Sequence, residues 1–175
     1  MIDFSRNHFQ LFGLPERFLL DSPALDRAYK ALQSDVHPDR YAAAGETEQR
    51  LALQASAKVN EAYRALKDPV ARAHYLLSLH DVDAFDETDT RLPLDFLERQ
   101  LERREAAADA AGGDDIPALE QILDDVRADA RTIEARVAAL LDASQWDAAR
   151  GPVRELRFLT KVVADIDAML ATVEG

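Results

Sequence analysis

Val36-His37-Pro38-Asp39-Arg40 is the stretch from which the fold is read. Pro38 cannot continue a helix, because it lacks an N–H and its ring collides with the carbonyl four residues back. An apolar helical period runs up to it, and a second begins soon after it. His37 and Asp39 therefore stand at a loop tip between two helices, displaying an imidazole and a carboxylate. Upstream, Asp21-Ser22-Pro23 is a helix start, with Ser22 as candidate N-cap and Pro23 at the first helical position. Leu25, Tyr29, Leu32 and Val36 then recur at spacings of 4, 3 and 4, which makes one buried stripe. At about 100° per residue, Arg27, Lys30 and Ser34 fall on the outward face.

Downstream, residues 38–45 read as loop. A long helix is predicted from about Thr47 to Lys67, with Leu51, Ala55, Val59, Ala62, Tyr63 and Leu66 facing in. Asp68-Pro69 ends it, and a short amphipathic helix follows from Val70 to about Leu79. Near the start, a short helix from about Asn7 to Phe12 is closed by Gly13 and Pro15, with Phe9 and Phe12 on one face. Two long antiparallel helices braced by two short ones make a first module over residues 1–77.

Residues 78–92 read as a linker, without helical period and rich in Asp81, Asp83, Asp86, Glu87 and Asp89. Three helical stripes follow within residues 93–175: from about Pro93 to Ala110, ending at Gly112-Gly113; from near Asp115 to Asp142; and from near Ser144 to the C-terminus. Their closure is a three-helix bundle, so the whole chain is predicted all-α.

Composition supports this class and narrows the partners. The 175 residues are 47% hydrophobic, dominated by Ala and Leu, with only 6 glycines. The net charge of −12 disfavours nucleic acid and anionic membranes. That charge is unevenly placed: residues 1–80 carry 10 basic and 10 acidic side chains, residues 81–175 carry 11 and 23. Two modules with different partners, or clustered solvated helix faces, both account for such a step. The absence of Cys excludes thiolate sites, thiol nucleophiles and Cys-ligated clusters on this chain. His8, His74 and His80 lack ligand spacing, so no metal and no cofactor is expected. No signal, transit or bilayer-spanning pattern occurs, and a soluble cytoplasmic protein is the expectation.

His37 and Asp39 have three readings. A catalytic pair would need a nucleophile and an oxyanion site, and no GxSxG, P-loop, HExxH or dinucleotide fingerprint occurs. Side chains flanking a proline are also expected to diverge. A plain helix stop explains Pro38 alone. A protein-recognition tip explains all three residues.

On the first helix of the bundle, Leu94, Leu97 and Leu101 share one face, and Glu98, Glu102 and Glu105 lie within about 60° of one another beside it. Periodicity alone favours the leucines as that helix's core stripe with solvated glutamates; a partner surface edged by carboxylates is the other reading. In the last helix Leu156, Leu159, Val163, Ile166 and Leu170 form the core stripe. Phe158 points about 125° from its centre, which leaves edge packing or a partner contact. Trp146, at a helix start, reads as a packing anchor.

The order short helix, amphipathic helix, His37-Pro38-Asp39-Arg40, long helix with Asn60-Glu61-Ala62-Tyr63 and Leu66, then Asp68-Pro69 and Arg72, resembles a J-domain. Leu11-Phe12-Gly13-Leu14-Pro15, Arg72-Ala73-His74-Tyr75-Leu76-Leu77, Trp146-Asp147-Ala148-Ala149 and Leu156-Arg157-Phe158-Leu159 extend the likeness to the HscB (Jac-type) family over nearly the whole chain. That resemblance implies a non-enzymatic co-chaperone of iron–sulfur cluster biogenesis. It would stimulate the ATPase of an HscA-like, DnaK-type chaperone and deliver an IscU-type scaffold to it. By the same resemblance His37, Pro38 and Asp39 carry the stimulation, and Arg27, Lys30 and Arg40 are the docking cations, on a face thinned by Asp26 and Asp35. Leu97, Leu101, Glu102, Glu105 and Phe158 match the scaffold-binding positions, and Glu98 stands where the family often has Met. A J-domain co-chaperone with another client, and a small helical enzyme using His37, are the alternatives.

Overall fold

The computed structural model describes residues 2–86, 88 and 90–174. Glu87 and Asp89, two of the acids counted in the expected linker, lie outside the described residues. The chain divides into two compact units, Met1–Leu79 and His80–Gly175. The described elements are helical: α1 (His8–Leu11), α2 (Ser22–Val36), a 3₁₀ turn (Pro38–Tyr41), α3 (Glu46–Lys67), α4 (Pro69–Ser78), α5 (Leu94–Gly112), α6 (Ile116–Asp142) and α7 (Trp146–Val173).

The first unit is punctuated by local chemistry. Asn7 caps α1 in a reciprocal pair with Gln10. Gly13 then adopts φ +65°, and Leu14 N–H donates back to Phe9 O at 2.9 Å, so the turn needs a residue tolerant of that conformation. Asp21, rather than Ser22, caps α2 by accepting from Ala24 N–H. Ser22 is already in the helix, because the cap needs an acceptor three residues ahead of the donor. Asp68 caps α4 in the same way through Ala71 N–H. The interior comprises Phe9, Phe12, Phe18, Leu25, Val59, Leu66 and Leu77, all buried. Tyr29 and Tyr63 stack between α2 and α3 at 4.0 Å, and Tyr29 O–H donates to Asn60.

In the second unit α6 and α7 form a long antiparallel pair on which α5 packs. Their shared core includes Phe96, Leu119, Leu123, Val126, Leu159 and Ile166. α5 and α6 end on Asp114 and Ser144 at φ 54° and 56°, where Asp115 N–H and Gln145 N–H reach back to Ala110 O and Leu140 O. The glycines at 112 and 113 are therefore not the residues in the left-handed conformation.

Part of the stretch expected to be linker is fastened to α7. Ala84 is fully buried. Arg150 and Arg154 donate to the carbonyls of Asp83 and Ala84 at 3.1 and 2.6 Å, and the Arg157 guanidinium lies 4.4 Å from the Phe85 ring. His80 stacks on Trp146 at 3.7 Å, which makes the tryptophan a packing anchor. Acidity and missing period mimic a solvated linker, whereas backbone carbonyls attract arginines whatever the local side chains are.

Candidate functional site

The last carbonyls of a helix lack intrahelical donors and need others. At the end of α2 these come from beyond the proline. Arg40 Nη1 donates to Ser34 O at 3.2 Å and pairs with Asp35 at 3.1 Å, while Tyr41 O–H donates to Asp35 O at 3.2 Å. These bonds fold residues 38–41, expected to be loop, into the 3₁₀ turn. His37 caps that turn: its Nδ1 accepts from Asp39 N–H at 3.3 Å. Nδ1 also lies 3.5 Å from the Asp39 carboxylate. A nitrogen accepting the backbone N–H cannot donate to the carboxylate as well, so the neutral ring carries its proton on Nε2. The expected divergence of His37 and Asp39 is thus corrected, because the turn folds residue 39 back over residue 37. Both side chains stay exposed, at 50% and 90%, so the pair sits in water rather than in a pocket suited to acid–base chemistry.

Arg27 and Lys30 are exposed on the outer face of α2. The acids expected to thin that face are both engaged. Lys67 lies 2.7 Å from Asp26 and Tyr63 O–H donates to it at 2.9 Å; these bonds, the lysine's first, hold the Asp26 carboxyl below the usual range. Asp35 holds Arg40, so this cation belongs to the tip and not to an open face.

α5 reverses the expectation drawn from periodicity. Leu94, Leu97 and Leu101 are 71%, 38% and 59% exposed and are not the core stripe. The inward positions are Phe96, Gln100 and Ala107, with Arg103 partly buried between them. Phe96 carries the burial, and Arg103 reaches Asp129 of α6 at 2.8 Å, so a helix with polar inward residues still docks. Glu98, Glu102 and Glu105 are exposed beside the leucines. An apolar stripe left in water with carboxylates along one side is the signature of a partner surface. Leu94, not among the residues drawn from the resemblance, is the most exposed of the three; the same spacing that aligns Leu97 and Leu101 points to it.

Phe158 is half-buried, with its ring edge-on to Phe96 at 5.6 Å. Edge packing therefore accounts for one side of it. The other side opens on a groove of about 450 Å³ between α5 and α7, where Gln100 and Lys161 also stand. Those two residues are not predicted from the sequence; a glutamine at an inward helix position is the one signal that could have marked the site.

Comparisons with known proteins cover nearly the whole chain. Residues 92–167 match the family model described as the HSCB C-terminal oligomerisation domain. A co-chaperone protein HscB homolog of Burkholderia mallei (strain SAVP1) is 45% identical over 174 residues, covering 99% of both chains. The solved structure of chaperone HscB from Vibrio cholerae superposes with a TM-score of 0.88 at 35% identity, over 96% of this chain and 99% of that one. Human co-chaperone protein HscB also superposes at 0.88, with 27% identity over 95% and 83% of the two chains. Full-length identity, the matched bundle and the shared two-unit fold together show that this chain belongs to the HscB family of co-chaperones.

Proposed function

We propose that this protein is a co-chaperone of iron–sulfur cluster biogenesis that joins an HscA-like, DnaK-type ATPase to an IscU-type scaffold. The observation that carries the scaffold half is the exposure of Leu94, Leu97 and Leu101 on α5. Burying apolar area contributes roughly 25 cal/mol per Å², so such a face gains stability only when a partner covers it. Glu102 and Glu105 beside it favour a partner with basic residues around an apolar centre. Leu97, Leu101, Glu102, Glu105 and Phe158 are the contact residues in this reading.

The ATPase half rests on the tip. His37, Pro38 and Asp39 form a small turn, capped internally and open to solvent, with Arg27 and Lys30 on the adjoining helix face. Exposed cations of this kind speed encounter with an acidic surface more than they add affinity. The chain acts here by binding rather than by bond-making: its relatives are named as co-chaperones, and the His37 pair lies in water. Among the described residues no helix is long and apolar enough to cross a membrane.

The decisive experiment measures ATP hydrolysis by an HscA-like chaperone with this protein, with the scaffold, and with both. Stimulation by the protein alone, raised further by the scaffold, is expected. No stimulation would sink the ATPase half. Stimulation without any binding to an IscU-type scaffold would instead identify a J-domain co-chaperone for another client.

A further inference from the structure

The groove between α5 and α7 is lined on α5 by Gln100 and Arg104, which lie on the side of the leucines away from the glutamates. Taking Leu97 as the zero direction, Leu101 lies at about +40°, Glu105 at about +80°, Arg104 at about −20° and Gln100 at about −60°. The leucine stripe thus has carboxylates on one side and a cation followed by the groove on the other. The groove measures about 450 Å³, the size range of ligand pockets, and its apolar wall on α7 is Phe158, Val162, Ile166 and Met169. Arg104 and Lys161 edge it from the two helices, against the single acid Asp165. Neither cation has an ion-pair partner among the described residues. In a unit whose charge is otherwise strongly acidic, this is a local inversion of sign.

Gln100 is the buried polar residue of the groove. It lines the groove, is only 3% exposed, and its Nε2 has no hydrogen-bond partner among the described residues. Its Oε1 accepts from Arg103 at 3.4 Å. Buried amide donors without acceptors are costly and therefore rare. The Gln100 Nε2 is closed off from solvent, so the groups that meet a carboxylate at the groove's edge are Arg104 and Lys161.

We propose that the groove is a second subsite of the scaffold-docking surface, and that it takes an apolar side chain of the scaffold flanked by a carboxylate. The proposal rests on the reading that Leu97 and Leu101 dock that scaffold. The occupant follows from charge and from continuity. Gln100 and Arg104, which line the groove, stand three residues on from Leu97 and Leu101 on the same helix, so a partner covering the leucines meets the groove without a break. Glutamates on one flank call for basic partner residues, and Arg104 with Lys161 on the other call for an acidic one. This opposition of sign sets which way round the scaffold lies across Phe158, since the reversed orientation would set like charges against each other.

Titration of the full-length protein with purified IscU-type scaffold tests this. The Arg104→Glu/Lys161→Glu variant changes only exposed positions and keeps wild-type helicity. Its dissociation constant is expected to rise about tenfold, with Arg104→Gln/Lys161→Gln intermediate between it and wild type. Leu101→Ala serves as the separate probe of the underlying reading. If Leu101→Ala weakens binding while both groove variants bind within twofold of wild type, the subsite is overturned and the leucine reading stands. If the groove variants weaken binding and Leu101→Ala does not, the scaffold sits on the groove and the leucine reading falls. Wild-type binding by all variants overturns both.

Discussion

At the loop tip, polar groups are held by backbone and side chains within a few residues of one another. On α5, three leucines stand in solvent on a helix whose inner face holds a glutamine and an arginine. Both surfaces are exposed, but the first is organised before any partner arrives, and the second is left apolar for a partner to cover. His37, Pro38 and Asp39 therefore offer geometry, which suits a transient encounter with an enzyme that must turn over. Leu97 and Leu101 offer burial, which suits holding a client. The contrast extends to charge: the tip lies in a unit with balanced charge, whereas the leucines lie in the acidic half.

The largest effect that would break this division is expected at the tip. His37→Gln or Asp39→Ala should return the chaperone ATPase to its unstimulated rate. Scaffold affinity should not change, and stability should fall by no more than about 1 kcal/mol, because both side chains are exposed and only the His37 cap is lost. A parallel loss of scaffold binding would show that the two surfaces are not separable.

Next comes the two-faced character of α5. Phe96→Ala should destabilise the second unit by about 3–5 kcal/mol, since it empties the core beneath Phe158. Leu94→Ala, on the same helix, should change it by no more than about 0.5 kcal/mol. Urea titration followed by Trp146 fluorescence reads the second unit specifically, because Trp146 is the single tryptophan. Equal costs for the two variants would mean that the leucine face is not free.

A smaller, sharper effect concerns affinity. Leu101→Ala should cost about 2 kcal/mol of scaffold binding, roughly thirtyfold, and leave ATPase stimulation by the protein alone intact. Calorimetric titration beside the ATPase assay separates the two.

The smallest effect lies in Glu155, buried in α7. Burial raises its carboxyl above the ordinary value; Asp95 adds to this, and Arg136 and Arg99 oppose it. The folded state therefore holds a proton that the unfolded state has already released between the ordinary carboxylate pKa and the raised one. Stability contributed by this group falls as pH rises through that window. Glu155→Gln should be more stable than wild type at pH 7, and the advantage should vanish near pH 3. A constant difference across that range would assign the effect to packing instead.

The helical hairpin, its stop at Pro38 and, of the inward residues of α3, Ala55, Val59, Ala62 and Leu66 were legible from spacing, because propensity, capping and steric rules act over a few residues; Ala52 was missed, and Leu51 and Tyr63 are half-buried. Cap identity was legible only to within one residue, as Asp21 and Ser22 both carry acceptors and the helix geometry selects between them. The approach of His37 to Asp39 was not legible, since it depends on Arg40 and Tyr41 folding back onto the end of α2. Nor was the fastening of residues 83–85, which uses carbonyls that carry no sequence signal and arginines from more than sixty residues away.

What the sequence by itself determined is where the helices stop and which residues share a face, because those are matters of covalent geometry and a fixed period. Which face meets the core was decided by the tertiary structure. α5 presents two candidate stripes, and only the α6–α7 pair selects between them. It takes the side with Phe96, whose ring fills the core against Phe158, and where Arg103 can reach Asp129. The leucines are left outside for the same reason, and with them the surface on which the proposed function depends.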